Sequence, residues 1–268
     1  MTEQTTTTTS RIGDTFARLT AEGRTALMPY HTAGFPTLED SRRIIRALVA
    51  AGADMVEIGI PFSDPIADGV AVQGTSQIAL ERGTRLPDCI RLVRELRAEG
   101  ITAPFLLMGY YNPILRYGVE RFVAESAEAG VDGFIVPDLP AEESDALRGA
   151  CRRHGRDLIF MVAPTSTDER IATAAARGSG FLYCVSVKGV TGARETLSAS
   201  LADYIARIRA KTDLPLAIGF GISTPEHVRQ VGEIADGAIV GAALINALNA
   251  VEDADKPAAA QRFVRYLR

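Results

Sequence analysis

The sequence predicts a single-domain α/β protein, a (β/α)8 TIM barrel with an extra helix before its first strand. Three observations predict it. Eight short apolar runs alternate with longer amphipathic stretches from one end of the chain to the other. Many of those stretches stop at a glycine just before the next run, as at Gly52, Gly100, Gly130 and Gly155. With 268 residues, 47% of them hydrophobic, the chain has the length of one such barrel and the apolar content to fill it. An open doubly wound sheet is the alternative. The regularity of the eight units, without a phosphate fingerprint after the first run, counts against it.

In order along the chain, residues 1–11 form a threonine-rich polar tail, expected to be disordered, and residues 12–268 the barrel. An extra helix is expected at 14–22, stopped by Gly23. The strands are expected at 26–30, 53–58, 104–108, 133–136, 157–162, 181–185, 215–218 and 237–240. Helices are expected at 38–51, where Ile44, Leu48 and Ala51 recur at helical spacing, and at 86–99, 119–129, 141–154, 168–176 and 201–211. Tyr110-Tyr111-Asn112-Pro113 and Pro137-Asp138-Leu139-Pro140 read as wall and turn elements after the third and fourth strands.

The bulk properties narrow the function. A net charge of −4 argues against a nucleic-acid or anionic-membrane surface. Cys89, Cys151 and Cys184 fit neither a disulfide framework nor a zinc site, which points to a reducing compartment. The tail lacks the basic start and apolar run of a secretory signal, and the most apolar window, 237–251, is too short to span a bilayer. A soluble, cytoplasmic protein is expected.

In such a barrel, chemistry sits at the carboxyl ends of the strands. Glu57 lies near the end of the second strand, facing either the mouth or the helix layer. A carboxylate there is costly unless solvated, paired or protonated. It reads either as a general acid/base of raised pKa or as a cap on a loop amide. Asp68 follows in a Pro- and Gly-rich loop long enough to fold over the mouth, although a loop aspartate alone is a turn-former. Two acids in different surroundings can be pushed apart in pKa, one donating while the other stays ionised. Asp64 reads as a turn or interface residue.

Gly219-Phe220-Gly221-Ile222-Ser223 follows the seventh strand, and Gly241-Ala242-Ala243 follows the eighth and opens a helix. Glycine turns and a helix N-terminus suit an anion, at the positions where barrels commonly hold phosphate. The alternative is two tight turns that need glycine. Tyr183 is either core or a hydroxyl aimed into the mouth. The segment from Lys188 to Arg194, with Thr191 and Gly192, is a glycine-rich loop suited to opening and closing. A Schiff-base lysine is not favoured: of Lys188, Lys211 and Lys256 only the first is near the mouth, in a loop where an amine is poorly desolvated. His31, His154 and His227 are too scattered for a metal site, and none is expected. His31 has no assigned role.

Taken together, several motifs resemble the tryptophan synthase alpha subunit family over nearly the whole chain. They are Pro29-Tyr30-His31-Thr32-Ala33-Gly34-Phe35-Pro36, the segment from Val56 to Gly69, Val136-Pro137-Asp138-Leu139-Pro140, Val162-Ala163-Pro164-Thr165, Gly189-Val190-Thr191-Gly192 and Gly219-Phe220-Gly221-Ile222. The resemblance implies a carbon–carbon lyase that reversibly cleaves indole-3-glycerol phosphate to indole and glyceraldehyde 3-phosphate in tryptophan biosynthesis. By resemblance Glu57 is the acid/base catalyst, Asp68 holds the indole N–H, and Tyr183 is the active-site tyrosine. Gly192, Gly221 and the turn after the eighth strand match phosphate-binding positions. Where the family usually has Gly-Ser-Ala, this chain has Gly241-Ala242-Ala243, so one phosphate hydrogen bond is expected to be missing. The resemblance further implies a beta-subunit partner in an α2β2 heterotetramer, contacted through the loops at 61–69 and 187–195, with PLP in that partner and no cofactor in this chain. A stand-alone lyase and a non-catalytic activating partner are the alternatives.

Overall fold

The computed structural model describes residues 10–186, 199–219 and 221–268. Eight strands close into a parallel barrel in chain order. They are β1 (Ala26–Thr32), β2 (Val56–Gly59), β3 (Phe105–Met108), β4 (Gly133–Ile135), β5 (Asp157–Val162), β6 (Leu182–Val185), β7 (Leu216–Gly219) and β8 (Gly237–Val240). The ring shuts where Ala26 to Pro29 of β1 lie in register with Gly237 to Val240 of β8. Every expected strand is present, with ends that move by up to three residues.

Side-chain alternation divides the core into two shells. Ile44, Leu48, Val56, Ile58, Leu107, Phe134, Leu182 and Ile218 fill the space between barrel and helices. Met28, Met55, Leu106, Ile135, Ile159, Phe181, Ala217 and Ile239 fill the barrel itself. The extra helix spans Arg11–Ala21, begins three residues earlier than the spacing predicts, and is capped by the Ser10 hydroxyl. Its buried face, Ile12, Phe16 and Leu19, joins the inner shell, where the Phe16 ring lies 5.6 Å from that of Phe181. This helix stoppers the amino end of the barrel, so the one open end is the opposite mouth.

An aspartate at the start of an even-numbered strand locks it to its predecessor at three places. Asp54 accepts the Leu27 N–H at 2.8 Å, Asp132 that of Phe105 at 2.8 Å and Asp236 that of Leu216 at 2.7 Å. Each also pairs with arginine: Asp54 with Arg268, Asp132 with Arg97 and Arg11, Asp236 with Arg209. Asp54 in that role is why β2 starts at Val56.

Several helical segments differ from the sequence expectation, among them Pro225–Gly232 and Lys256–Leu267, which it did not specify. The second crossover holds two helices, Val70–Glu81 and Leu86–Ala98, of which only the second is apparent from periodicity. The first buries Thr75, Ser76 and Ala79, so it shows no apolar stripe. Tyr111–Tyr117 is a short helix with Pro113 in its first turn, where proline is tolerated. The stretch at 141–154 divides into a tight turn, Ala141–Glu143, and a helix, Asp145–Arg153, because the buried Ser144 hydroxyl donates back to Ala141 O at 2.7 Å.

Candidate active site

The barrel mouth holds a cavity of about 340 Å³. Its floor and walls come from strand residues Tyr30, Glu57, Met108, Met161, Tyr183 and Ile239. Its rim comes from Ala67 to Val72 after β2, Gly221 to Ser223 after β7 and Gly241 to Ala243 after β8. Two methionines and an isoleucine make an apolar bed suited to an aromatic ring.

Glu57 faces this cavity and not the helix layer. Its neighbours Val56 and Ile58 belong to the outer shell, while Met55 belongs to the inner one, so period-two alternation turns Glu57 inward. The side chain is 1% exposed and its Oε1 has no hydrogen-bond partner. Burial without compensation disfavours the charged form and pushes its pKa up to about 8. A neutral carboxylic acid at neutral pH is the consequence.

Asp68 reaches the same cavity from the loop, half-buried. Burial pushes it up to about 6, against the opposing pull of the Tyr110 hydroxyl, so at neutral pH it is mostly ionised. One proton-bearing acid and one carboxylate therefore face one apolar space. Asp64 lies on the exposed part of the loop, where it accepts the Ser63 hydroxyl at 2.5 Å, and does not line the cavity.

Tyr183 points its ring inward at 5% exposure, and its hydroxyl is pushed well above the usual range by burial and by the nearby Glu57, Asp68 and Tyr30. Its ring explains Gly219. A Cβ on that residue would lie 2.3 Å from the Tyr183 hydroxyl oxygen. Gly219 is thus the space beneath the tyrosine and is not itself in the cavity lining. Tyr30 and Gly59 repeat the arrangement across the barrel, with a Cβ 2.0 Å from the Tyr30 oxygen.

Tyr30 is a site residue that sequence reasoning passed over, though its place two residues after Met28 on a barrel strand was a usable signal. Its hydroxyl lies 3.3 Å from Thr32 Oγ1, which lies 2.7 Å from Thr75 Oγ1, which donates to Val72 O at 2.9 Å. That chain ties β1 to the helix Val70–Glu81. Asn246 and the two methionines also line the cavity, while Tyr110, read from sequence as wall, stands behind it and accepts the Ala67 N–H of the Asp68 loop.

Opposite the acids, Gly221 adopts φ +86° and lines the cavity with Ile222 and Ser223. The helix Ala242–Asn249 starts at Gly241 without a side-chain cap, whereas Pro225–Gly232 nearby is capped by Thr224. The free N–H groups of an uncapped helix start are an anion site. Thr191, Gly192 and Lys188 lie outside the described residues. Lys256 is spent elsewhere, donating to Leu248 O at 2.6 Å and Val251 O at 3.1 Å. His31 faces the helix layer, its Nε2 3.2 Å from Ser41 Oγ, and burial lowers its pKa to about 4, so it stays neutral. Among the described residues no cluster of potential metal ligands occurs.

Comparison with known proteins gives one answer. The family profile described as tryptophan synthase alpha chain matches residues 16–266. The tryptophan synthase alpha chain of Chloroflexus aggregans is 54% identical over 258 residues, covering 96% of this chain and 97% of that one. That of Roseiflexus sp. is 53% identical over 259 residues, covering 97% and 99%. The crystal structure of tryptophan synthase subunit alpha from Legionella pneumophila superposes with a TM-score of 0.90 at 38% identity, covering 97% of each chain. Fold, cavity and comparisons agree: the chain belongs to the tryptophan synthase alpha chain family.

Proposed function

We propose that Glu57, Asp68 and Tyr183 form the catalytic centre for the family's reaction. That reaction, the reversible retro-aldol cleavage of indole-3-glycerol phosphate to indole and glyceraldehyde 3-phosphate, is the activity of this chain, a carbon–carbon lyase of tryptophan biosynthesis. The observation that carries the residue assignment is the unpartnered, buried oxygen of Glu57 in an apolar cavity.

Indole leaves poorly as a carbanion, and protonation at its C3 removes that obstacle. Neutral Glu57 supplies this proton. Positive charge then develops on the ring nitrogen, and ionised Asp68 accepts the N–H and stabilises it. The hydroxyl on the adjacent glyceryl carbon loses its proton as the carbon–carbon bond breaks and the aldehyde forms, and Glu57, now a carboxylate, takes that proton. The acid is thereby regenerated. Such acid–base assistance contributes roughly 10²–10⁴-fold. The Tyr183 hydroxyl flanks Glu57 and orients the glyceryl chain.

The phosphate is assigned to the backbone at Gly221 to Ser223 and Gly241 to Ala243. Remote binding energy there orients the reacting bond. This chemistry calls on no cofactor of the chain, and PLP is assigned to the beta subunit. The partner follows from the family; an α2β2 heterotetramer in the cytoplasm is the proposed assembly. Ile66 on the Asp68 loop and Val70 at the start of the following helix, each 86% exposed, offer apolar surface for the contact. Among the described residues no helix is long and apolar enough to cross a membrane.

The test is cleavage by Glu57→Gln, which keeps the shape and loses the acid. It is expected to lower kcat at least 100-fold while KM changes little. Retained turnover would move the proton donor to another residue.

A further inference from the structure

We propose that Tyr110 is a positioning residue for the cleavage reaction: its hydroxyl accepts the Ala67 amide and lies against the Asp68 carboxylate, latching the loop at 61–69 so that Asp68 faces the cavity. This rests on the role given to Asp68 above. Tyr110 ends the β3 connection and is 4% exposed. The Ala67 N–H donates to its hydroxyl at 2.9 Å, and its ring packs 5.1 Å from that of Phe62, at the near end of the same loop. Among the described residues the other hydrogen bonds of residues 61–69 stay within the loop or run to the helix that follows, as with Ile66 N–H to Asp64 O, Asp68 N–H to Pro65 O, and the Gln73 amide to Asp68 O. Among the described residues Tyr110 therefore supplies the hydrogen bond that ties this segment to the barrel, immediately beside the carboxylate.

The same contact has an electrostatic side. The Tyr110 hydroxyl beside Asp68 favours its ionised form, opposing its burial. The other titratable groups of the described residues that sense Asp68 are Tyr30 from β1 and Tyr183 from β6, with Glu57 between them on β2. Tyr110 itself is pushed up to about 12, so it remains a donor throughout the working range. Loss of its hydroxyl leaves Asp68 without that polar neighbour and its loop without the Ala67 tie.

Tyr110→Phe keeps the ring contact with Phe62 and removes only the hydroxyl. The test compares it with wild type and Asp68→Asn, in kcat and KM for indole-3-glycerol phosphate, the pH profile of kcat/KM, and amide exchange at Ala67. The expected result is a kcat about tenfold lower with KM nearly unchanged. The acid limb moves to higher pH, and Ala67 exchanges about tenfold faster. Wild-type kcat, pH profile and Ala67 exchange in Tyr110→Phe, beside an inactive Asp68→Asn, overturn the latch alone. Wild-type turnover by Asp68→Asn overturns the role of Asp68, and the proposal for Tyr110 falls with it.

Discussion

Gly219→Ala isolates what the glycine at the end of β7 is for. The added Cβ would lie 2.3, 2.4 and 2.6 Å from Oη, Cε1 and Cζ of Tyr183, well inside contact distance. Gly219 has no left-handed backbone, so alanine meets no conformational penalty of its own and the effect is purely steric. The ring cannot swing away freely, because Tyr183 is 5% exposed and belongs to the inner shell. Overpacking of this kind costs about 1–3 kcal/mol, and for a chain of this size each kcal/mol lowers Tm by roughly 2–4 °C. A fall of about 5 °C is expected, measured by thermal denaturation followed by circular dichroism. In a Tyr183→Ala background the space is free, so the same alanine is expected to be neutral. The coupling in the double-mutant cycle should be about 1–3 kcal/mol. An unchanged Tm in Gly219→Ala, or a penalty that persists without the tyrosine ring, would refute the steric argument and return Gly219 to the phosphate turn read from sequence.

Other consequences follow from the same geometry. The kcat/KM profile against pH is expected to be a bell that falls below about 6, where Asp68 takes up a proton, and above about 8, where Glu57 loses one; a flat profile between 5 and 9 would contradict both assignments. Glu57 has a folded pKa above its unfolded value, so its favourable contribution is complete below about 4.5 and is lost as pH rises through about 8. Denaturation midpoints of Glu57→Gln should therefore exceed those of wild type by a margin that grows from pH 5 to 9. Ala242→Ser restores a hydroxyl at the uncapped helix start and is expected to lower KM for indole-3-glycerol phosphate about tenfold, whereas an unchanged KM would argue that the backbone alone holds the phosphate. Asp132→Asn removes the charge that Arg97 meets at 2.6 Å and is expected to cost about 3 kcal/mol in urea denaturation while kcat and KM stay at wild-type values, because the pair lies at the closed end of the barrel.

The barrel was legible because each strand is a short apolar run bounded by glycine, proline or an aspartate, and these boundaries are local chemistry. The helix Val70–Glu81 was not, since it packs through Thr75, Ser76 and Ala79 and carries no apolar stripe to read. The direction of Glu57 was open for a related reason. A parallel barrel strand is buried on both faces, so Val56 and Ile58 give no alternation against which to orient it. The acids themselves stood out because a carboxyl in such a strand is chemically expensive. Tyr30 and Tyr110 did not, because a tyrosine in an apolar segment looks like core until the partner from a neighbouring element is known. Gly219 shows the same limit: the glycine was visible, but the ring of Tyr183 that requires it comes from another strand. His31, unexplained in sequence, is a core group satisfied on one nitrogen by Ser41.

The most direct measurement is indole release from indole-3-glycerol phosphate by the purified chain, alone and with a tryptophan synthase beta subunit. The account predicts slow release by the chain alone and a sharp rise when the partner is added. Fast release without the partner would make the chain a stand-alone lyase. No release under either condition would contradict the assignment of the mouth cavity as the place where the bond is broken.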